Sequence, residues 1–278
     1  MNRGVLGPAR LVHPFPSALD AVVTLGLALL ARAPAERAAL LAMAMLGIQF
    51  SIGALNDLVD KPADGIAGRA KPLVEGRIPV RAARAVVAVT GATGLILAAL
   101  AGPLAALVAL AGYAIGLAYD LRLKASPWSW LPFAAGIPLL PVFAWVGATG
   151  RLPGPILWLA AVGVLGGAAL AVANALADAD RDATSGTATI ATALGRSRSV
   201  RLGVLLSLAA GGVAMTSVVT LAGVVAGTWL ASAGAAMLAA GVVLGLRGDL
   251  KAAWEVQAIG IGILAIGWVA AITTVGLV

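Results

Sequence analysis

The stretches NDLVDKPAD, Asn56 to Asp64, and NALADADRD, Asn174 to Asp182, hold six of the chain's twelve acids. Both read N-x-x-x-D-x-x-x-D, with Asn56, Asp60 and Asp64 in the first and Asn174, Asp178 and Asp182 in the second. On an α-helix the fourth and eighth positions along lie about 40 and 80 degrees round from the first, so each motif sets one amide and two carboxylates on one face. Asp180 points almost the opposite way. Pro62 is expected to end or kink the first helix, leaving Asp64 in the loop beyond, and Asp57, about 100 degrees from Asn56, can reach the same site. Each motif ends a long apolar run, so the acids fall where a helix dipole prefers cations. One aspartate in that position is an interfacial charge. Two clusters call for a compensating cation, and Mg2+, held by one or two carboxylates together with substrate phosphates, fits this donor set best.

Complementary charges lie in the neighbouring loops. Arg69, Lys71 and Arg77 follow the first motif, YDLRLK supplies Tyr119, Arg122 and Lys124, and Arg181, Arg196 and Arg198 accompany the second motif. Some of these only orient the protein. Arg and Lys are nonetheless the donors that the outer oxygens of a metal-bridged diphosphate need.

The elements that must position these groups follow from composition. The chain has 278 residues, 61% hydrophobic and 11% charged, with a mean hydropathy of +1.01. That is too little polar surface to cover a soluble globule. Long runs of Ala, Leu, Val and Gly, without short alternation, argue for spanning helices over a barrel. Apolar runs bounded by charges, prolines or glycines fall at roughly 16–34, 36–57, 81–101, 103–119, 129–149, 154–177, 201–221, 223–246 and 254–276. The expected fold is therefore all-α: a single bundle of nine transmembrane helices with its active-site cavity facing the cytoplasm. With the N-terminus inside and the C-terminus outside, 16 of the 19 basic residues fall on the inner side and only Arg32, Arg37 and Arg151 on the outer. The net charge of +7 then reflects orientation and anionic lipid, with no nucleic acid partner implied. The absence of cysteine excludes disulfides, thiolate metal sites and cysteine nucleophiles. The N-terminal residues lack the core and cleavage site of a secretory signal, so they are expected to remain in the mature protein.

These residues resemble the UbiA superfamily of intramembrane prenyltransferases. The resemblance covers most of the chain: NDxxDxxxD at Asn56 to Asp64, DxxxD at Asp178 to Asp182, Arg69 after the first motif, Tyr119 and Lys124 in YDLRLK, and DATSGTATIATALG in place of a glycine- and threonine-rich loop. One departure is RAKP, a shorter segment that puts Lys71 where many members have arginine. The resemblance implies a single domain over residues 1–278 that moves an allylic prenyl group from its diphosphate to a small acceptor, often an aromatic ring. It implies Mg2+ held by Asn56, Asp60, Asp64, Asp178 and Asp182, and diphosphate contacts from Arg69 and Lys124, to which Lys71 and Arg181 are added as diphosphate donors from their places in the basic loops. Asp60, Asp178, Lys124 and Tyr119 carry the catalysis in this reading, with Tyr119 beside the allyl cation. The expected location is a prokaryotic inner membrane, with the site on the cytoplasmic side and membrane lipid around the bundle.

An intramembrane terpene cyclase would use the same residues and let the substrate's own double bond capture the cation. A secondary transporter would place charges near the bilayer midplane, and the central spans carry none. His13 reads as an acceptor contact or, more readily, as a headgroup-level residue before the first span, and Asp20 as either a functional intramembrane acid or a helix-start cap. Trp128, Trp130 and Trp145 read as interface anchors or packing residues, and the Gly- and Ala-rich runs as close helix contacts.

Overall fold

The computed structural model describes residues 8–184 and 186–278, apart from the side chains of Pro8 and Arg181. They form helices and connecting turns, with no strand among the described residues. The helices are α1 (Pro14–Leu30), α2 (Ala35–Ile66), α3 (Val80–Ala101), α4 (Pro103–Ala118), α5 (Leu131–Gly136), α6 (Leu139–Thr149), α7 (Gly154–Ala177), α8 (Ala179–Thr184), α9 (Ile190–Leu194), α10 (Arg196–Ala222), α11 (Ala226–Leu246) and α12 (Leu250–Thr274). Among the described residues, eight helical stretches are long and apolar enough to cross a membrane: α2, α3, α4 extended to Leu123, α5 with α6, α7, α10, α11 and α12. The remaining expected span is α1, an apolar helix of 17 residues.

Three expected boundaries are corrected. The second helix does not stop near residue 57 but continues through Pro62 to Ile66. Proline removes one N–H and leaves the carbonyl four residues back without its partner, a defect that a long, packed helix can absorb. The expected span over 129–149 is two helices, α5 and α6, parted at Ile137 and Pro138. The seventh expected span starts earlier, at Arg196.

α12 touches α1, α7, α10 and α11, while α2 lies against α1 and α3, and α4 against α3, α5 and α6. Lipid offers helices no hydrophobic drive to associate, so close backbone approach has to hold such pairs. The seam between α11 and α12 shows it: a Cβ on Gly234 would lie 2.7 Å from Gly260 O, and one on Gly260 would lie 3.0 Å from Gly234 O. Two large apolar cores and smaller ones result. One centres on Trp268, Val269, Ile272 and Ile156, the other on Leu41, Ile48, Ala98 and Phe143.

Candidate active site

α2 presents Asn56 and Asp60 to a cavity of about 440 Å³ that also receives Arg69, Lys71, Tyr119, Lys124, Asn174 and Asp178. The size suits a small-molecule site. One end of this cavity is charged. The α4 and α6 side is apolar, lined by Val108, Leu139, Leu140 and Phe143 among others, and Asp20 and Gln49 interrupt the α1 and α2 side.

The turn after α2 places Arg69. Gly68 adopts φ +64, its N–H donates to Gly65 O, and the Arg69 N–H donates to Asp64 O at 2.9 Å. This is a Schellman ending, which needs a residue with positive φ and suits glycine there. The chain doubles back, so the Arg69 guanidinium stands 3.4 Å from Asp64 Oδ1 and donates to Asp178 Oδ1 at 3.2 Å. Leu73, buried with Leu11, Ala54 and Ala83, pins the following loop to the bundle. Lys71 Nζ thereby reaches Asp57 Oδ1 at 2.8 Å and Asp64 Oδ2 at 2.7 Å. Burial alone would pull the Lys71 pKa down; hydrogen bonds and charge from Asp57 and Asp64 outweigh it, and the net direction is upward. Lys71 is therefore an ammonium in this state.

The end of α4 places the third group. Residues Tyr119–Leu123 form a π turn in which the Lys124 N–H donates to Tyr119 O at 2.8 Å. In an α-helix, residues five apart point about 140 degrees from one another; one wider turn brings them nearly into line. Tyr119 and Lys124 thus face the same cavity. Lys124 Nζ donates to Asp60 Oδ2 at 2.6 Å, and the Tyr119 ring meets Phe133 edge to face at 5.3 Å.

Several expectations change here. Asp64 lies within α2 instead of a loop; at 3% exposure it is buried behind Arg69 and Lys71, outside the cavity wall. The second motif is not one continuous helix, because α7 ends at Ala177 and Asp178 caps it with φ −106. Asn174 and Asp178 face the cavity, whereas Asp182, also buried, does not line it. Asp180, in the first turn of α8, is exposed. Arg77 pairs with Glu75, and Arg122, Arg196 and Arg198 are exposed and outside the cavity wall. The Arg181 side chain lies outside the described residues. His13, just before α1, lines the cavity with Nε2 3.1 Å from Asp57 Oδ1. Gly53 admits this segment, since a Cβ there would stand 3.0 Å from Val12 O. Trp128 is exposed, Trp130 is half-buried and Trp145 is buried in the first core.

Asp120 escaped the sequence reading. It accepts a hydrogen bond from Asn56 Nδ2 at 2.8 Å, is 3% exposed, and its Oδ2 is buried without a hydrogen-bond partner. Its place in YDLRLK, one residue before the chain reaches the basic pair, was the only available signal. Among the described residues no three acids or imidazoles are gathered closely enough to hold an ion; Lys71, Lys124 and Arg69 stand between the carboxylates instead. The donors are still those a hard divalent ion prefers, and the partnerless buried oxygen of Asp120 adds one more.

Apolar helices long enough to span a bilayer, closed around a cavity charged at one end by two acidic motifs and three cations, define a polytopic membrane protein. The family model for the UbiA prenyltransferase family matches residues 21–259, and the chain belongs to that family; it is a prenyltransferase integral to the membrane. No curated protein matches it. Among solved structures it is similar to the apo form of a UbiA homolog from Aeropyrum pernix K1, at 25% identity and a TM-score of 0.76, covering 93% of this chain and 97% of that one. It shares its fold with a UbiA homolog from Archaeoglobus fulgidus bound to GPP and Mg2+, at 19% identity, a TM-score of 0.70, and 95% and 98% coverage. A digeranylgeranylglyceryl phosphate synthase has the same fold at 14% identity, with a TM-score of 0.70 and 97% of each chain covered.

Proposed function

We propose that the chain, as one domain, transfers a prenyl group from an isoprenyl diphosphate to a small acceptor with Mg2+ as cofactor. The carrying observation is the Arg69 link between Asp64 and Asp178, which joins the two acidic motifs at one end of one cavity. Asn56, Asp60 and Asp178 from the cavity wall, with Asp64, Asp182 and Asp120 behind them, would hold the metal. Mg2+ supplies a positive charge that stabilises the departing diphosphate.

The protein's own groups do the rest. Arg69, Lys71 and Lys124 now rest on aspartates at the cavity's charged end and are the donors for the outer phosphate oxygens; Arg181 is assigned with them from its sequence position. As the allylic carbon–oxygen bond breaks, its electrons stay with the diphosphate, which these cations stabilise more strongly than the intact ester. The Tyr119 ring, held by Phe133, offers its face to the carbon left positive. Apolar walls from α4 and α6 keep water from the cation and accommodate the prenyl chain, leaving an electron-rich acceptor to capture it and then lose a proton. The basic asymmetry of the loops supports a cytoplasmic position for this end of the cavity, in our reading at a prokaryotic inner membrane.

Asp60→Ala and Asp178→Ala, each purified and confirmed folded by its melting curve, should lose Mg2+-dependent diphosphate release. Turnover retained in both variants would reject the metal assignment.

A further inference from the structure

Asp20 belongs to neither acidic motif. It lies six residues past Pro14, about 9 Å into α1, which rules out a cap. It lines the cavity, and its Oδ2 accepts a hydrogen bond from Gln49 Nε2 at 2.5 Å. Gln49 lines the cavity too. It precedes Asn56 by seven residues on α2, two turns less about 20 degrees, so the two amides share a face about 10 Å apart. Asp20 Oδ1 has no hydrogen-bond partner among the described residues. A carboxyl inside an apolar bundle with an acceptor left over is costly to keep and marks a site for a donor.

The surroundings narrow what that donor can be. Arg69, Lys71 and Lys124 are the Lys and Arg residues on the cavity wall, and each sits on an aspartate of the first or second motif at the charged end. His13, the imidazole on the wall, is paired with Asp57. The α4 and α6 side is apolar and suits a prenyl chain. On the α1 and α2 side the Ser17 hydroxyl is spent on Val12 O and Trp254, packed on Phe15, keeps a buried indole N–H, so the acceptors there are a carboxyl and an amide oxygen with no counter-charge.

We propose that Asp20 and Gln49 anchor the acceptor and select a neutral molecule bearing a hydroxyl or amino donor over an aromatic carboxylate. This rests on the prenyl-transfer reading above. A hydroxyl donates to Asp20 Oδ1, and Gln49 Oε1 is a second acceptor beside it. A carboxylate in the same place would be desolvated next to another carboxyl without a cation, which burial penalises whatever the protonation of Asp20.

The test uses the full chain in lipid nanodiscs, saturated with Mg2+ and a prenyl thiodiphosphate that does not ionise. Calorimetric titration then compares two phenols, 4-hydroxybenzyl alcohol and 4-hydroxybenzoate. The alcohol should bind at least tenfold more tightly than the benzoate. Asp20→Asn, nearly isosteric, and Asp20→Ala should bring the two within threefold, with thiodiphosphate affinity unchanged within twofold. The proposal is overturned if the wild type binds the benzoate as well as the alcohol, binds neither phenol, or keeps its preference in both variants; a variant that only melts earlier with the preference intact counts among these. If the thiodiphosphate itself fails to bind with Mg2+, the prenyl-transfer reading falls, and this proposal with it.

Discussion

Arg69 donates to Asp178 across 109 residues of sequence, at 3.2 Å. The pair is partly exposed, and ion pairs of that kind contribute only about 0–1 kcal/mol to stability. Its value is as a cation held where diphosphate charge is expected to develop. Arg69→Ala is predicted to lower kcat/KM about 100-fold, the scale of losing one preorganised donor, while stability falls by less than the roughly 3–5 kcal/mol of an uncompensated buried charge, because Asp64 keeps Lys71 as its cation. A loss of activity matched by an equal loss of folded protein would assign Arg69 a structural role instead.

Lys124 makes a narrower claim. It touches Asp60 at 2.6 Å and no other acid within ion-pair range among the described residues. Lys124→Ala should raise the KM for prenyl diphosphate by about tenfold, in line with the worth of one charged hydrogen bond, and leave the acceptor KM within about twofold. Steady-state kinetics with each substrate varied in turn gives the answer; equal losses for both would remove the diphosphate role.

Lys71 lies between two carboxylates, and the Asp57 and Asp64 side chains are only 2% and 4% exposed. Stripping one partner from a buried pair costs about 3–5 kcal/mol because the remaining charge is uncompensated. Lys71→Met should therefore melt well below the wild type in a chelator. Added Mg2+ should restore much of the difference in the variant and shift the wild type less. Equal Mg2+ responses in the two proteins would show that Lys71 does not stand in for the metal.

The helix seam gives a test independent of chemistry. A side chain at Gly234 meets the backbone of α12, which cannot swing aside, so Gly234→Leu should cost at least the roughly 1–3 kcal/mol of an overpacked core. Gly212→Ala, with nothing within 4 Å of the added Cβ, should be neutral or slightly stabilising. Thermal melts in one detergent compare them.

Orientation can be read with single cysteines, because the chain has none of its own. Glu75→Cys in the loop after α2 and Arg151→Cys between α6 and α7 both lie at exposed positions. In intact cells an impermeant maleimide should label the Arg151→Cys protein and spare the Glu75→Cys protein; the opposite pattern reverses the proposed topology.

Much of the fold was legible because lipid imposes a simple rule, and apolar length alone marks each helix. The two motifs were legible because both repeat the same four-residue spacing at the end of an apolar run, although only the first stays on one helix. What the sequence hid were departures from ideal geometry. Pro62 suggested a break that packing overrides, and the π turn at Tyr119 lines up residues that a 100-degree count separates, with Asp120 turned in toward Asn56. Contacts between distant helices were equally hidden. Nothing local to His13 announces Asp57, and nothing local to Asp20 announces Gln49.

The first helix carries a mechanical consequence for its surroundings. Seventeen residues, Pro14–Leu30, rise about 25 Å, whereas a bilayer's hydrocarbon layer is about 30 Å thick. The lipids beside α1 must pinch inward to match it, or the 3₁₀ turn over Pro8–Val12 that precedes it must sink below the headgroups. Enzyme reconstituted in thin-chain phosphatidylcholine should then outperform the same enzyme in a thick-chain membrane.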